Sequence, residues 1–144
     1  MYNHILLATE LLEESTVIED RAAFLQKVTA AKLSIIHVVE PMPVVYPVGE
    51  STIAYNFQET IDHLTKNAKE SIESLKERLG VDNAETHVKQ GLIGDEILKL
   101  AEENDVDLII TGSHGRHGIR LLLGSTANTI LHGAKVDVMA VRIK

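Results

Sequence analysis

The stretch "DLIITGSHGRHGIRLLLGST", Asp107 to Thr126, decides how the chain is read. Its opening, "DLIITG" (107–112), is a short continuous apolar run, as expected of a strand buried on both faces. From Thr111 to Thr126 there follow four glycines, two histidines and two arginines in sixteen residues. The closing "GST" leads into "STANTILHGA" (125–134), which reads as a helix with Ser125 or Thr126 as its cap. Strand, glycine-rich loop and helix opening fit three readings: a phosphate cradle, a metal site or a plain turn.

Working outward, the apolar pattern keeps switching period. "HILLATE" (4–10) and "LSIIHVVE" (33–40) are further buried strands, "AETHVKQ" (84–90) is a weaker one suited to an edge, and "VDVMAVRI" (136–143) closes the chain. Between the first two lies a helix: Thr16 with Glu19 suits a capping box, and Ile18, Ala22, Leu25 and Val28 recur at helical spacing. The segment 41–54 contains all three prolines and reads as a loop. Asn56 with Glu59 suits the opening of the longest helix, whose stripe runs Phe57, Ile61, Leu64, Ala68, Ile72, Leu75, Leu79 before Gly80 stops it. A further helix is expected over 94–106.

Strands alternating with helices require right-handed crossovers, hence an α/β fold. The expectation is a single domain over 1–144: a doubly wound, mostly parallel five-stranded sheet, Rossmann-like, in the order 3-2-1-4-5, with helices on both faces. Ligands of such sheets sit at the carboxyl ends of the strands, where strand order reverses. Ala8, Thr9 and Glu10, then Val38 to Glu40, then Thr111 and Gly112 therefore share one rim, and the glycine loop leaves from it.

Composition narrows the function. The chain has 144 residues, 44% of them apolar and 3% aromatic, so aliphatic side chains fill its core. With no cysteine there is no disulfide, thiolate nucleophile or cysteine-held zinc. A net charge of −7 argues against a nucleic-acid binder, and no run is long enough to span a membrane, so a cytoplasmic protein is expected. Ser113–Lys135 alone combines several cations (Arg116, Arg120, Lys135) with no acid, a place for an anionic ligand.

Gly112, Gly115, Gly118 and Gly124 suit a nest of backbone N–H groups, and the helix opened by "GST" adds its positive end and two hydroxyls. Neither the P-loop pattern nor G-x-G-x-x-G after the first strand occurs. His114 and His117 lie three apart with no assured third ligand, which disfavours metal; hydrogen bonding to phosphate or ribose, or simple exposure, suits them better. His37 reads as a satisfied core histidine. No nucleophile elbow appears, so catalysis is not expected. Glu10 is the one carboxylate placed near the loop, suited to a ribose hydroxyl or a cation.

In these motifs the chain resembles the universal stress proteins, small members of the adenine-nucleotide α-hydrolase-like superfamily. "HILLATE", "LSIIHVVE", "VDLIITGSHGRHG…LLLGSTAN" and "VDVMAVRI" carry the likeness over essentially the whole length. Nucleotide-binding members show G-x2-G-x9-G-[ST]; here Gly112, Gly115, Gly124 and Ser125 match, but eight residues separate Gly115 from Gly124. The resemblance implies an adenosine pocket lined at Thr9 and Glu10, where the usual acid is Asp, with Val38 backbone at the adenine. It implies Ser125 and Thr126 at the phosphates, and Ala8, Ser113, Arg116 and His117 complete the expected site. ATP or another adenine nucleotide, with or without Mg, is the implied ligand. A homodimer through Val136 to Ile143 is implied too, and an unprotected apolar edge strand suits such pairing. The competing readings are a nucleotide-independent dimeric interaction protein, as in the universal stress protein A subgroup, and an ATP-hydrolysing enzyme without an evident base.

Overall fold

The first apolar run forms β1 (His4–Ala8), and every one of its residues is buried. The computed structural model describes residues 1–41, 54–113 and 123–143, with 54–57 as backbone alone. After a 3-10 turn at Glu13–Ser15 come α1 (Thr16–Thr29), β2 (Lys32–Val39), α2 (Ala54–Leu79), β3 (Glu85–Gln90), α3 (Ile93–Glu103), β4 (Leu108–Gly112), α4 (Ser125–Gly133) and β5 (Asp137–Val141). The five strands pair in the order β3-β2-β1-β4-β5, all parallel. The doubly wound expectation holds, with β1 and β4 flanking the point where strand order reverses.

Two apolar layers hold the sheet between its helices. Ile5, Leu7, Ile35 and Ile110 pack against Ile18, Ala22, Ile72 and Leu75 of α1 and α2. Leu6, Ile36 and Ile109 pack against Ile97 and Leu100 of α3 and Ile130 of α4. Each such fully buried aliphatic chain stabilises the fold by about 2 kcal/mol against exposure. Alternate residues of each central strand serve opposite layers, which is why these strands read as unbroken apolar runs.

Helix ends and margins differ from the sequence reading. No capping box forms at Thr16: its hydroxyl donates to the Glu13 carbonyl at 2.7 Å, Ser15 is the N-cap, and Glu19 turns inward. Asn56 lies inside α2, which starts at Ala54. Val28 is 66% exposed because the buried stripe of α1 runs through Ile18, Ala22 and the half-buried Leu25, leaving Val28 off its edge. Gly80, at φ +66°, ends α2 as expected, and the Val81 N–H returns to the Lys76 carbonyl at 3.1 Å, closing a Schellman turn. β3 and β5 are the edges. On β5, Met139 is half-buried while Val141 belongs to the core, so the two are not equivalent positions on a free edge.

α3 and α4 approach closely. A Cβ at Gly94 would lie 2.6 Å from Thr129 Cγ2, and one at Gly133 would lie 2.5 Å from Leu98 Cδ1. At Gly94 the obstacle includes Thr129 Cβ, at 2.9 Å, which is fixed to the helix; at Gly133 it is the end of the Leu98 side chain, which can turn aside.

Candidate functional site

At the carboxyl end of the sheet the strands stop around a cleft of about 650 Å³, within the usual range of small-molecule sites. Glu10 enters from the β1–α1 turn, His37, Val38 and Glu40 from the end of β2, and Leu64 from α2. Leu92 and Asp95 come from the start of α3, and Ser125, Thr126 and Thr129 from α4. Leu64, expected in the buried stripe of α2, is instead 47% exposed on the cleft. A smaller hollow of about 50 Å³ lies between Glu10, Ile18, Thr111, Gly112, Gly124, Ser125 and Thr126. Glu10, Ser125 and Thr126 border both spaces, so the two form one continuous rim at the switch point between β1 and β4.

The first turn of α4 is the chemically open element. Its N-cap is Gly124, not Ser125 or Thr126, with φ −60° and ψ 155°. Among the described residues no side chain caps its first N–H groups, and no acid stands in its first turn. An uncapped helix start presents orphan donors and positive dipole charge to whatever lies before it. The start of α3 on the same cleft also lacks a side-chain cap, but Asp95 and Glu96 stand in its first turn and already offset its dipole. An anion is therefore favoured at α4 rather than α3. The Gly124 N–H donates to the Ser113 carbonyl at 2.8 Å, and the Ser113 N–H to the Val141 carbonyl at 2.8 Å, fixing both margins of this corner. Gly124 is thus in the extended region and needs no left-handed backbone, whereas a nest of N–H groups would have called for positive φ there.

The expected site residues separate into three groups. Glu10, Val38, Gly112, Gly124, Ser125 and Thr126 come together on the two hollows. Ala8, Thr9 and Ser113 are buried and line neither. The Thr9 hydroxyl is committed: it donates to Glu19 Oε1 at 2.7 Å and accepts the Leu11 N–H at 3.0 Å. Gly115, Arg116 and His117, with His114, Gly118, Arg120 and most of the 41–54 segment, lie outside the described residues. Of the cations in the stretch read from sequence only Lys135 is among the described residues, and it lies at the opposite end of the sheet from the cleft, 2.7 Å from Glu102.

Other features emerge only from the fold. His37 is satisfied, its Nδ1 2.9 Å from the Thr9 carbonyl oxygen, yet its ring also walls the cleft. A donated hydrogen bond there places the proton on Nδ1. Glu19 is a buried carboxylate held by Arg78 at 2.6 Å, and Asp20 takes the other guanidinium nitrogen at 2.8 Å. Burial works against the Arg78 charge, but the Asp20 hydrogen bond and the Glu19 charge hold its pKa above the usual value. Leu11 is left-handed at φ 58°, which costs a non-glycine residue about 1–2 kcal/mol. Glu10, Glu40 and Asp95 have no ion-pair partner among the described residues, so the cleft is acidic away from α4. Among the described residues, no three His, Asp or Glu side chains gather to hold a metal.

Fold and site together define a doubly wound α/β protein with an anion-ready helix at its topological switch point. The universal stress protein family model matches residues 1–142. Universal stress protein A homolog 1 of Coxiella burnetii is 39% identical over 145 residues, covering 99% of this chain and 98% of the relative. The solved structure of the protein MJ0577 from Methanocaldococcus jannaschii superimposes with a TM-score of 0.84 at 26% identity, over 100% of this chain and 98% of that one. A universal stress protein in complex with cAMP superimposes with a TM-score of 0.66 at 23% identity, over 99% of this chain and 98% of that one. The chain belongs to the universal stress protein family.

Proposed function

We propose that this universal stress protein binds an adenine nucleotide in the carboxyl-end cleft and acts as a regulatory protein of the cytoplasmic stress response rather than as an enzyme. The observation that carries the reading is the uncapped, acid-free first turn of α4, with Ser125 and Thr126 on the cleft. Phosphate oxygens accept from its N–H groups and hydroxyls, the ribose meets the Glu10 carboxylate, and the base lies along Val38 and Leu92. Because Glu10, Glu40 and Asp95 make the cleft acidic, a polyphosphate brings a counter-cation; Mg carried by the nucleotide serves this need. The same-fold relative in complex with cAMP holds an adenine nucleotide, which agrees with this class of ligand. Calorimetry with ATP, ADP and AMP tests it: heat of binding is expected, and a folded protein silent at millimolar ligand favours a nucleotide-independent interaction protein.

The reading includes a homodimer formed by pairing of β5. This edge strand carries half-buried Val138 and Met139 and exposed Ala140, and two copies related by a two-fold axis would satisfy its outer backbone groups. Met139→Glu is expected to give a folded monomer in sedimentation, and a persisting dimer refutes this interface. Val141→Glu would disrupt the core and tests nothing about pairing.

A further inference from the structure

We infer that Glu19 and Arg78, which line neither hollow, are positioning residues for the cleft: they clamp the Thr9 hydroxyl and so set the turn that aims Glu10 at the ligand. This rests on the adenine-nucleotide reading of the cleft.

Thr9 is held from every side. Its N–H donates to the Ile36 carbonyl at 3.1 Å, continuing the β1–β2 pairing past the end of the strand. Its carbonyl takes the His37 ring at 2.9 Å. Its hydroxyl, buried with the residue at 5% exposure, gives its one proton to Glu19 Oε1 and accepts the Leu11 N–H. Glu10 stands between this fixed residue and the left-handed Leu11, with no hydrogen-bonding partner of its own among the described residues. Its direction is therefore set by the turn. A left-handed leucine persists only where its surroundings over-determine it, and the bond from its N–H to Thr9 Oγ1 is such a constraint.

The polarity of that bond depends on Glu19. A carboxylate is an acceptor only, so it draws the Thr9 proton and leaves the hydroxyl lone pairs facing Leu11. Arg78 Nη2, at 2.6 Å from Glu19 Oε2, occupies the other oxygen and keeps the carboxylate charged. In Glu19→Gln the amide oxygen meets Arg78 and the amide N–H₂ meets Thr9. The hydroxyl then has two donors before it and no acceptor for its own proton, and the Leu11 bond weakens. The other amide orientation sets N–H₂ against the guanidinium. Either way the clamp loses a bond, while volume and packing are kept.

The test measures ATP and 2′-deoxy-ATP affinity by calorimetry, together with hydrogen exchange of the Leu11 amide without ligand. Glu19→Gln is expected to weaken ATP about tenfold and to bring the two nucleotides to equal affinity, because Glu10 no longer meets the ribose. Glu10→Gln should do the same, and the double variant should be no weaker than Glu10→Gln alone. Multiplying losses, or retained ribose discrimination in Glu19→Gln, overturn the inference. Should Glu19→Gln not fold, Arg78→Gln releases the same clamp from the solvent side, with the same expected outcome. The Leu11 amide should be protected in the wild type and exchange about tenfold faster in either variant; unchanged protection also overturns the inference. If the wild type binds no nucleotide, the reading of the cleft fails, and the exchange measurement alone judges the clamp.

Discussion

The two ends of the sheet are built from the same strands and helices yet have opposite chemistry. At the amino end, Asp107 accepts the Asn3 and His4 N–H groups at 2.8 and 3.1 Å. His4 spans the Asn104 carbonyl and the Ser34 hydroxyl at 2.9 and 2.8 Å, so the polar groups there are spent on one another. A hollow of about 220 Å³ also lies at this end, lined largely by apolar residues where α3 and α4 finish. The negative ends of two helices converge on it, with Glu102 and Asp105 on its margin. At the carboxyl end the same helices start, the acids have no ion-pair partner among the described residues, and the hydroxyls of α4 line the cleft. Saturation at one end holds the strands in register; incompleteness at the other leaves capacity for a ligand.

The comparison is broken most forcefully by filling the space before α4. Gly124→Val keeps an allowed backbone, since φ −60° and ψ 155° suit a β-branched residue. The added side chain blocks approach to the first N–H groups. Nucleotide affinity should fall at least about 100-fold, roughly 2.7 kcal/mol, with the melting temperature unchanged. Retained affinity would place the phosphates elsewhere. Asp107→Ala strikes the other end and should do the reverse, costing about 2 kcal/mol in chemical denaturation through lost charge-assisted bonds while leaving affinity alone. Burial raises the Asp107 pKa, but the Asn3 and His4 N–H groups outweigh it and hold it below the usual value. A depressed folded pKa contributes stability above the unfolded value, near 4. The gap between wild type and Asp107→Ala should therefore be constant at neutral pH and shrink as pH falls through the depressed value. A gap independent of pH would refute the role of the charge.

Much of this organisation was legible in the sequence, because strands buried on both faces announce themselves as unbroken apolar runs and their alternation with helices leaves few topologies. The rim followed from topology alone, which is why Glu10, Val38 and Ser125 were within reach of sequence reasoning. Side-chain partners were not. Thr16 and Glu19 have the spacing of a capping box, yet Glu19 belongs to Arg78, 59 positions later, and no local pattern encodes that pairing. Leu64 obeys the helical period of α2 but faces the cleft. Periodicity fixes a side chain's face, not what stands opposite it. Val141 and Met139 share one face of an edge strand and the same apolar layer, yet Val141 is buried and Met139 only half-buried, a difference that alternation along the strand cannot tell.

A smaller effect sharpens the contrast from within the cleft wall. At Gly94, alanine is the better helix former by about 1 kcal/mol, but its Cβ would lie 2.9 Å from Thr129 Cβ, an atom that cannot swing aside. Separating the helices costs about 1–3 kcal/mol, so Gly94→Ala should lose about 1 kcal/mol net and weaken nucleotide binding. Thr129→Ala in the same chain removes the Cγ2 contact but keeps Cβ, so it should restore stability only in part; no recovery at all would refute the contact as the cause.

The smallest effect expected is at Lys135, which decides whether the cationic stretch seen in the sequence acts as a unit. Lys135 and Glu102 meet at 2.7 Å with side chains 79% and 71% exposed. Their hydrogen bond and mutual charge raise the lysine pKa and lower that of the glutamate. Water screens so exposed a pair, and the order of holding two long side chains offsets most of what remains. Lys135→Ala should leave the melting temperature and the nucleotide affinity both unchanged, at low salt as well as high. A loss of affinity steepening as salt is removed would mean that Lys135 acts on the anion from afar, and the two ends of the sheet would then not be electrostatically separate.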